Sequence, residues 1–279
     1  MADFSIKKPL FGKYVEIILH DLDNDLALEV VEKAYEEGLR LQKIFNFYDE
    51  NSELSKLNKK RKLRVSNELL YLIKTAKEFA ILTNGEYDIT LGKLFKQRKL
   101  GEPEQKLSCS YKDIGIRDNE IILNHPDIEI DLGSIAKGYI VDKIVESLKS
   151  QGVASGLVDG RGDIRIFGDY SQTIGIQHPR NKSIIKNINL KDCAVATSGD
   201  YAQYNRTYDK SHIIHKKDII SITVIAQTLM IADVFASVFF VSEKSKFEEL
   251  VKKNKNIKIF TIDKNIKIRY YNNFEEVVL

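Results

Sequence analysis

Apolar residues recur along this chain in two rhythms, every second position and every third or fourth, which divide it into strands and helices. YVEIIL (14–19) alternates and reads as a strand. The stretch from Asn24 to Asn46 reads as a helix with Leu28, Val31, Ala34, Leu39 and Leu41 as its apolar stripe. NELLYLIKTAKEFAILTNG is a second helix, with Ser66 as N-cap and Asn84-Gly85 as its stop. IIL (121–123) and IEIDL (128–132) flank His125-Pro126-Asp127 and predict a hairpin. From Ile135 to Lys149 the helical rhythm returns, burying Val141, Ile144, Val145 and Leu148 and ending at Gly152. SGLVDG and DIRIFGD then read as strand, glycine-rich turn and strand. TIGIQH, DCAVATS and DIISITVI follow as strands, then a helix near Thr228 to Val241, and a last helix and hairpin from Phe247 to Tyr271. The class is α/β or α+β, strand-rich in its second half. With no repeat, low-complexity tract or long linker, the expectation is one domain over 1–279 or two intimate subdomains.

Composition narrows the function. Of the 279 residues 43% are hydrophobic and 30% charged, enough for a sizeable core. The net charge of +3 gives no bulk pull toward nucleic acid or an anionic membrane. Cys109 and Cys193 lie far apart, which argues against a zinc knuckle or disulfide framework and for a reducing compartment. The N-terminus lacks the features of a secretory signal, and the longest apolar run, VFASVFFV (234–241), is too short for a bilayer span. A cytoplasmic protein without a membrane span is expected.

Three places carry candidate chemistry. In DLGSIAKGYIVDKI (131–144) an acid, a glycine and a lysine crowd the start of an apolar helix. Unpaired N–H groups, the helix dipole, Gly133 and Lys137 together suit a phosphate. Taken alone, a turn glycine, a cap at Asp131 or Ser134 and a solvated Lys137 explain the stretch better. In TLMIADVFASVFF, Asp233 and Ser237 share a helix face, with Asp233 too deep in the apolar run to be a cap. A buried carboxylate needs a cation, and from spacing alone a hard metal ion and a structural salt bridge stand level. In SHIIH, His212 and His215 point to opposite faces of a strand, so they make no metal pair unless the chain bends. The turns at SGD and GRGD could carry ligand contacts or merely reverse the chain. GxGxxG, Walker A and nucleophile-elbow patterns are all missing.

Eight segments in order resemble a known family. They are FYDENSELSKLN (47–58), TNGEYDITLGKL (83–94), EIDLGSIAKGYIVDKI (129–144), LVDGRGDIRIFG (157–168), IGIQHPR (174–180), VATSGDYAQY (195–204), SHII (211–214) and SITVIAQTLMIADVFASVFFV (221–241). The family is that of the FAD:protein FMN transferases, the ApbE family. The resemblance implies an ApbE-like (T-fold-like) architecture that binds FAD and Mg²⁺. It implies transfer of FMN through a phosphoester to a Ser or Thr hydroxyl of a partner flavoprotein, releasing AMP. Asp131 and Lys137 would contact FAD, with Tyr48, Glu86, Tyr87 and Asp88 lining its site and Ile214 against the flavin. Ser134, through its backbone oxygen, with Asp233 and Ser237 would hold the magnesium, and His212 would take the proton of the acceptor hydroxyl. Water in place of that hydroxyl would give FMN and AMP, and a non-catalytic flavin-binding protein is the third reading. The chain departs from the family pattern at Ser237, usually Thr, and at Phe11-Gly12, usually Met-Gly-Thr. Arg161 also interrupts a double glycine, and the loop after Ile214 is shortened, with His215 in place of Asp.

Overall fold

The computed structural model describes residues 3–181, 183–200 and 218–279. The chain opens with β1 (Phe4–Lys8), β2 (Val15–Leu19), α1 (Asn24–Phe45), α2 (Glu53–Lys60), β3 (Lys62–Arg64), α3 (Asn67–Leu82) and α4 (Gly92–Leu100). It continues through β4 (Ile114–Arg117), β5 (Glu120–Leu123), α5 (Ala136–Ser150), β6 (Gly156–Asp159) and β7 (Ile164–Phe167). β8 (Ser171–Gln177), β9 (Ile184–Lys191), β10 (Ala194–Gly199) and β11 (Ile219–Ala226) follow. The last elements are α6 (Leu229–Val241), α7 (Lys244–Lys253), β12 (Lys258–Asp263) and β13 (Ile268–Tyr271). The mixed helix-and-strand class expected from the pattern is the one observed.

Among the described residues, eight strands form the main sheet in the order β1-β2-β6-β7-β10-β11-β12-β13, each neighbour antiparallel. Strand side chains alternate between faces, so this sheet has two cores. One face buries Val158, Ala194, Ala196, Ile222 and Val224 beneath the helices. The other turns Leu157, Ile164, Ile166, Val195, Phe260 and Ile262 toward Ile176, Ile188 and Leu190 of the β8–β9 hairpin and toward Phe274. α6 lies on β10 and β11, and α5 sits between α6 and α1. A three-stranded sheet, β3-β5-β4, forms separately. Among the described residues no helix is long and apolar enough to cross a membrane.

Local chemistry explains the boundaries. Asp23 caps α1 by accepting from the N–H groups of Asp25 and Leu26, and the Ser66 hydroxyl caps α3 by accepting from Leu69. α3 stops at Thr83, and Asn84 and Gly85 then take positive φ of 52° and 85°, as the Asn-Gly signal predicts.

Two expectations are corrected. The α1 stripe runs through Ala27, Val30, Val31, Ala34, Gly38, Leu41 and Phe45, while Leu28 is exposed and Leu39 only partly buried. Small residues set this face: a Cβ on Gly38 would lie 2.9 Å from Ile144 Cδ1 of α5, so the glycine lets the two helices close up. The hairpin of 121–123 with 128–132 does not form. β5 instead pairs with β4 and β3, and Asp118 at the β4–β5 turn carries a φ of 52°. Residues 128–132 do alternate, with Ile128, Ile130 and Leu132 buried, but other partners satisfy their backbone. Asn58 brackets Ile130, donating to its carbonyl at 2.9 Å and accepting its N–H at 2.8 Å, and the N–H of Asp131 reaches the carbonyl of Ile89 at 2.9 Å.

The α5–α6 crossing is the tightest feature near the candidate residues. A Cβ on Gly138 would sit 2.5 Å from the Leu229 carbonyl oxygen and 2.7 Å from Met230 Cα, so α6 backbone rests directly on this glycine. Neither atom belongs to a flexible side chain. Gly138→Ala should therefore destabilise the fold by about 1–3 kcal/mol. The measurement is urea unfolding, with a lowered midpoint and an unchanged m-value expected.

Candidate functional site

α6 is apolar on all sides because it is buried on all sides, and Asp233 lies within it at 6% exposure. An ionised carboxylate there requires compensation. The first partner is the N–H of Gly138 in the first turn of α5, which donates to Asp233 Oδ2 at 3.1 Å. The second is the ammonium of Lys137 beside it. Burial raises the pKa of Asp233, while Lys137, and less strongly the Gly138 amide, pull it back down.

Lys137 does not serve Asp233 alone. Its ammonium is ion-paired with Oδ2 of Asp163, a residue of the β6–β7 turn that is itself buried. Asp163 Oδ1 accepts the N–H of Thr197 on β10 at 2.9 Å, so the carboxylate is locked to the sheet as well as to the helix. Two buried acids thus face one lysine at the point where α5, α6, β10 and the β6–β7 turn converge.

The approach to α5 adds oxygen groups. Asp131 Oδ1 accepts the N–H of Gly133 at 2.8 Å, closing a turn just before the helix. The Ser134 hydroxyl lies 2.9 Å from the hydroxyl of Tyr87, whose ring is buried edge-on against Phe79. Burial, aided by the charges of Asp233, Asp131 and Asp88, pushes the Tyr87 phenol well above its ordinary range. It is a neutral hydrogen-bonding group at every physiological pH. One turn beyond Asp233, the Ser237 hydroxyl lies 3.5 Å from that of Ser198 on β10.

Of the residues singled out from sequence, Asp131, Ser134, Lys137, Tyr87 and Asp233 gather around the start of α5, and Ser237 follows Asp233 one turn later against β10. Asp88 is engaged in scaffolding: one oxygen accepts the N–H and hydroxyl of Thr90, the other the N–H of Tyr111. Glu86 accepts the N–H of Glu243 at 2.8 Å, tying its loop to the start of α7. Tyr48 is exposed, with its ring edge-on to Phe47. His212 and Ile214 lie outside the described residues.

Four further residues tie together the segments that carry the candidate residues. Asp163 lay hidden in the GRGD turn. Asp142 interrupts the apolar face of α5, and its two oxygens accept the N–H groups of Leu229 and Met230 at 2.8 and 2.7 Å. A buried polar residue within an apolar stripe was the available signal, the same one that marked Asp233. Asp200, which ends up fully buried just after β10, is held by the two terminal guanidinium nitrogens of Arg180 at 2.6 and 3.0 Å. This joins two of the quoted segments. Arg161, with a φ of 70°, donates to the carbonyl of Phe11 at 2.9 Å. Two of the departures noted in sequence, at Phe11 and at Arg161, are therefore in contact with each other.

Comparison with known proteins sharpens the picture. The model of the ApbE family matches residues 11–261. A curated FAD:protein FMN transferase from Klebsiella pneumoniae is 25% identical over 85% of this chain and 82% of its own length. The crystal structure of an ApbE protein from Thermotoga maritima superposes with a TM-score of 0.84 at 26% identity, covering 99% of both chains. A flavin transferase ApbE from Vibrio cholerae superposes with a TM-score of 0.82 at 25% identity and the same coverage.

The two buried acids on one lysine make a direct test. Lys137→Met leaves Asp163 and Asp233 without their cation and should cost about 3 kcal/mol or more in chemical denaturation, with the pKa of Asp233 driven further up in a carboxyl NMR titration. Asp142 gives a second test, because burial pushes its pKa up from 3.8 to about 6 against the pull of its two amide partners and Arg165. A folded-state pKa above the unfolded one means that the associated stability is fully present below the unfolded value and lost as pH rises through about 6. Unfolding free energies taken between pH 4 and 7 should therefore fall more steeply with pH for the wild type than for Asp142→Asn.

Proposed function

The chain belongs to the ApbE family, and on that premise we propose that it transfers FMN from FAD to a Ser or Thr hydroxyl of a partner flavoprotein, with release of AMP and dependence on Mg²⁺. The observation that carries this reading is the convergence of Lys137, Asp233, Ser134 and Tyr87 around the N-terminus of α5, with Ser237 one turn beyond Asp233. Such a place suits a pyrophosphate: a helix start with a lysine in its first turn, beside a carboxylate that burial leaves short of positive charge.

The residues present fit a hard divalent cation. Asp233 brings a buried carboxylate whose raised pKa a bound cation would reverse, and Ser237 adds a hydroxyl one turn later. The donor set is oxygen throughout, and among the described residues no three His, Cys, Asp or Glu side chains converge, which leaves ligand positions for substrate phosphate. Asp233, Ser237 and the Ser134 carbonyl would hold the ion. When bound, Mg²⁺ supplies charge neutralisation for the transferring phosphoryl group and the departing AMP.

The chain's own groups would do the rest. Lys137 keeps ammonium N–H donors beyond the one facing Asp163 and would meet a pyrophosphate oxygen. Asp163, by fixing that ammonium against the sheet, would aim it. Asp131, Tyr48, Glu86, Tyr87 and Asp88 would line the FAD site, with Ile214 against the flavin. His212, as a neutral imidazole, would accept the proton of the acceptor hydroxyl as it attacks. The full stretch reads as one transferase domain. The two unpaired cysteines support a reducing, cytoplasmic setting.

Incubation with FAD, Mg²⁺ and candidate flavoprotein subunits tests the reading by mass spectrometry of the protein and chromatography of the nucleotide. Added FMN mass on a partner with stoichiometric AMP is expected, whereas AMP and free FMN without protein labelling would mean that water is the acceptor. Asp233→Ala should abolish AMP release and Ser237→Thr should retain it; near-normal turnover of Asp233→Ala in saturating Mg²⁺ would sink the metal assignment. His212→Ala should leave FAD binding intact and slow transfer by roughly 10²-fold or more.

A further inference from the structure

Resting on the transferase reading above, we propose that Asp142 is a positioning residue for the reaction: by holding the first turn of α6 on α5 through the amides of Leu229 and Met230, it sets where Asp233 and Ser237 stand relative to Lys137 and Ser134. Asp142 belongs to no proposed ligand set. It acts through the two helices.

The argument starts from an incomplete cap. Thr228 occupies the N-cap position of α6, yet its side chain caps nothing, and among the described residues its buried Oγ1 has no hydrogen-bond partner. The first amides of α6 are satisfied instead from the neighbouring helix, at 2.8 and 2.7 Å, by both oxygens of Asp142. α6 returns the contact one turn away on each helix, where Asp233 accepts the N–H of Gly138 at 3.1 Å. The exchange is reciprocal: an acid of each helix takes backbone amide from the other, and residues four apart on each helix share a face.

Gly138 removes the remaining slack, because its missing side chain lets the Leu229 carbonyl come to where a Cβ would be only 2.5 Å away. A slide of α6 along α5 breaks both hydrogen-bonded contacts at once, and a lift away from it leaves two buried carboxylates unsatisfied. Arg165, with its Nε 3.7 Å from Asp142 Oδ1, supplies the positive charge that keeps the first of these acids in place. Asp233, one half of this clasp, is also assigned to the metal, and Lys137, assigned to the phosphate, precedes Gly138 in the chain. Misplacing reacting groups by about an ångström is enough to lower turnover by roughly 10²-fold.

The test compares Asp142→Ala and Asp142→Asn with Leu148→Ala, a cavity variant on the same helix that destabilises without a hydrogen bond to α6. Should Asp142→Ala fail to fold, Asp142→Asn, which keeps the volume and one acceptor, carries the comparison. Two readouts are taken. The first is amide hydrogen exchange at Gly138 in metal-free, FAD-free protein, where protection should fall about tenfold or more in the Asp142 variants relative to Leu148→Ala. The second is AMP release from FAD with Mg²⁺, where kcat should drop roughly 10- to 100-fold with KM for FAD within about threefold of wild type. Asp142 variants that match Leu148→Ala in both Gly138 exchange and kcat overturn the proposal and leave Asp142 a stabilising cap only. Wild type that releases no AMP and labels no acceptor overturns the transferase reading instead, and the exchange data still report whether the clasp exists.

Discussion

A carboxylate placed inside an apolar helix has to be met by partners from outside that helix, and the arrangement around Asp233 follows from this requirement. Its Oδ2 finds the Gly138 amide and its charge finds Lys137, both from the first turn of α5. That brings the start of α5 against α6, which in turn demands a glycine at position 138 so that the backbones can meet. Lys137, drawn toward a second acid at Asp163, ties the helix pair to the β6–β7 turn and, through Thr197, to β10. Helix pair, turn and sheet are held in one arrangement by the need to satisfy two buried negative charges.

Much of this was legible from residue order, and the reasons differ by element. α5 and α6 announce themselves because their apolar repeats are long, and the polar residues inside those repeats stand out as needing an explanation. α1 was located, and Val31, Ala34 and Leu41 of its stripe are buried, but Leu28 and Leu39 each stand one residue past the packed positions Ala27 and Gly38, since the stripe favours large apolar side chains where small residues make the contact. The false hairpin arose because 128–132 alternates correctly but is held by the side chain of Asn58 and the loop at Ile89, contacts that no local pattern encodes. α2, with only Leu54 and Leu57 buried, and α4, with little apolar periodicity, carried too weak a rhythm to be read as helices.

For the site, an incongruous setting singled out residues such as Asp233, though Asp142 carried the same mark and was passed over, whereas residues marked only by a distant partner gave no local signal. Asp233 and Lys137 belong to the first kind. Asp163 belongs to the second, because its role exists only once Lys137 is folded onto it. Arg161 and Phe11 show the same effect from the other side. Read singly they look like two unrelated departures from the family pattern, but the guanidinium of one holds the carbonyl of the other, so they form one local solution to closing the β1–β2 turn against the β6–β7 turn.

The clasp between α5 and α6 also constrains how the protein comes into being. The amide of Gly138 and its acceptor Asp233 are separated by 95 residues. During synthesis α5 emerges first, with its inward acid and its bare glycine face waiting for a helix that is not yet made. Closing so long a loop carries an entropic cost that the packing of α6 on α5 and on the sheet has to offset. The α5–α6 junction can therefore close only after α6 has been made, and a nascent chain stopped before α6 holds Lys137 and Asp163 but not Asp233.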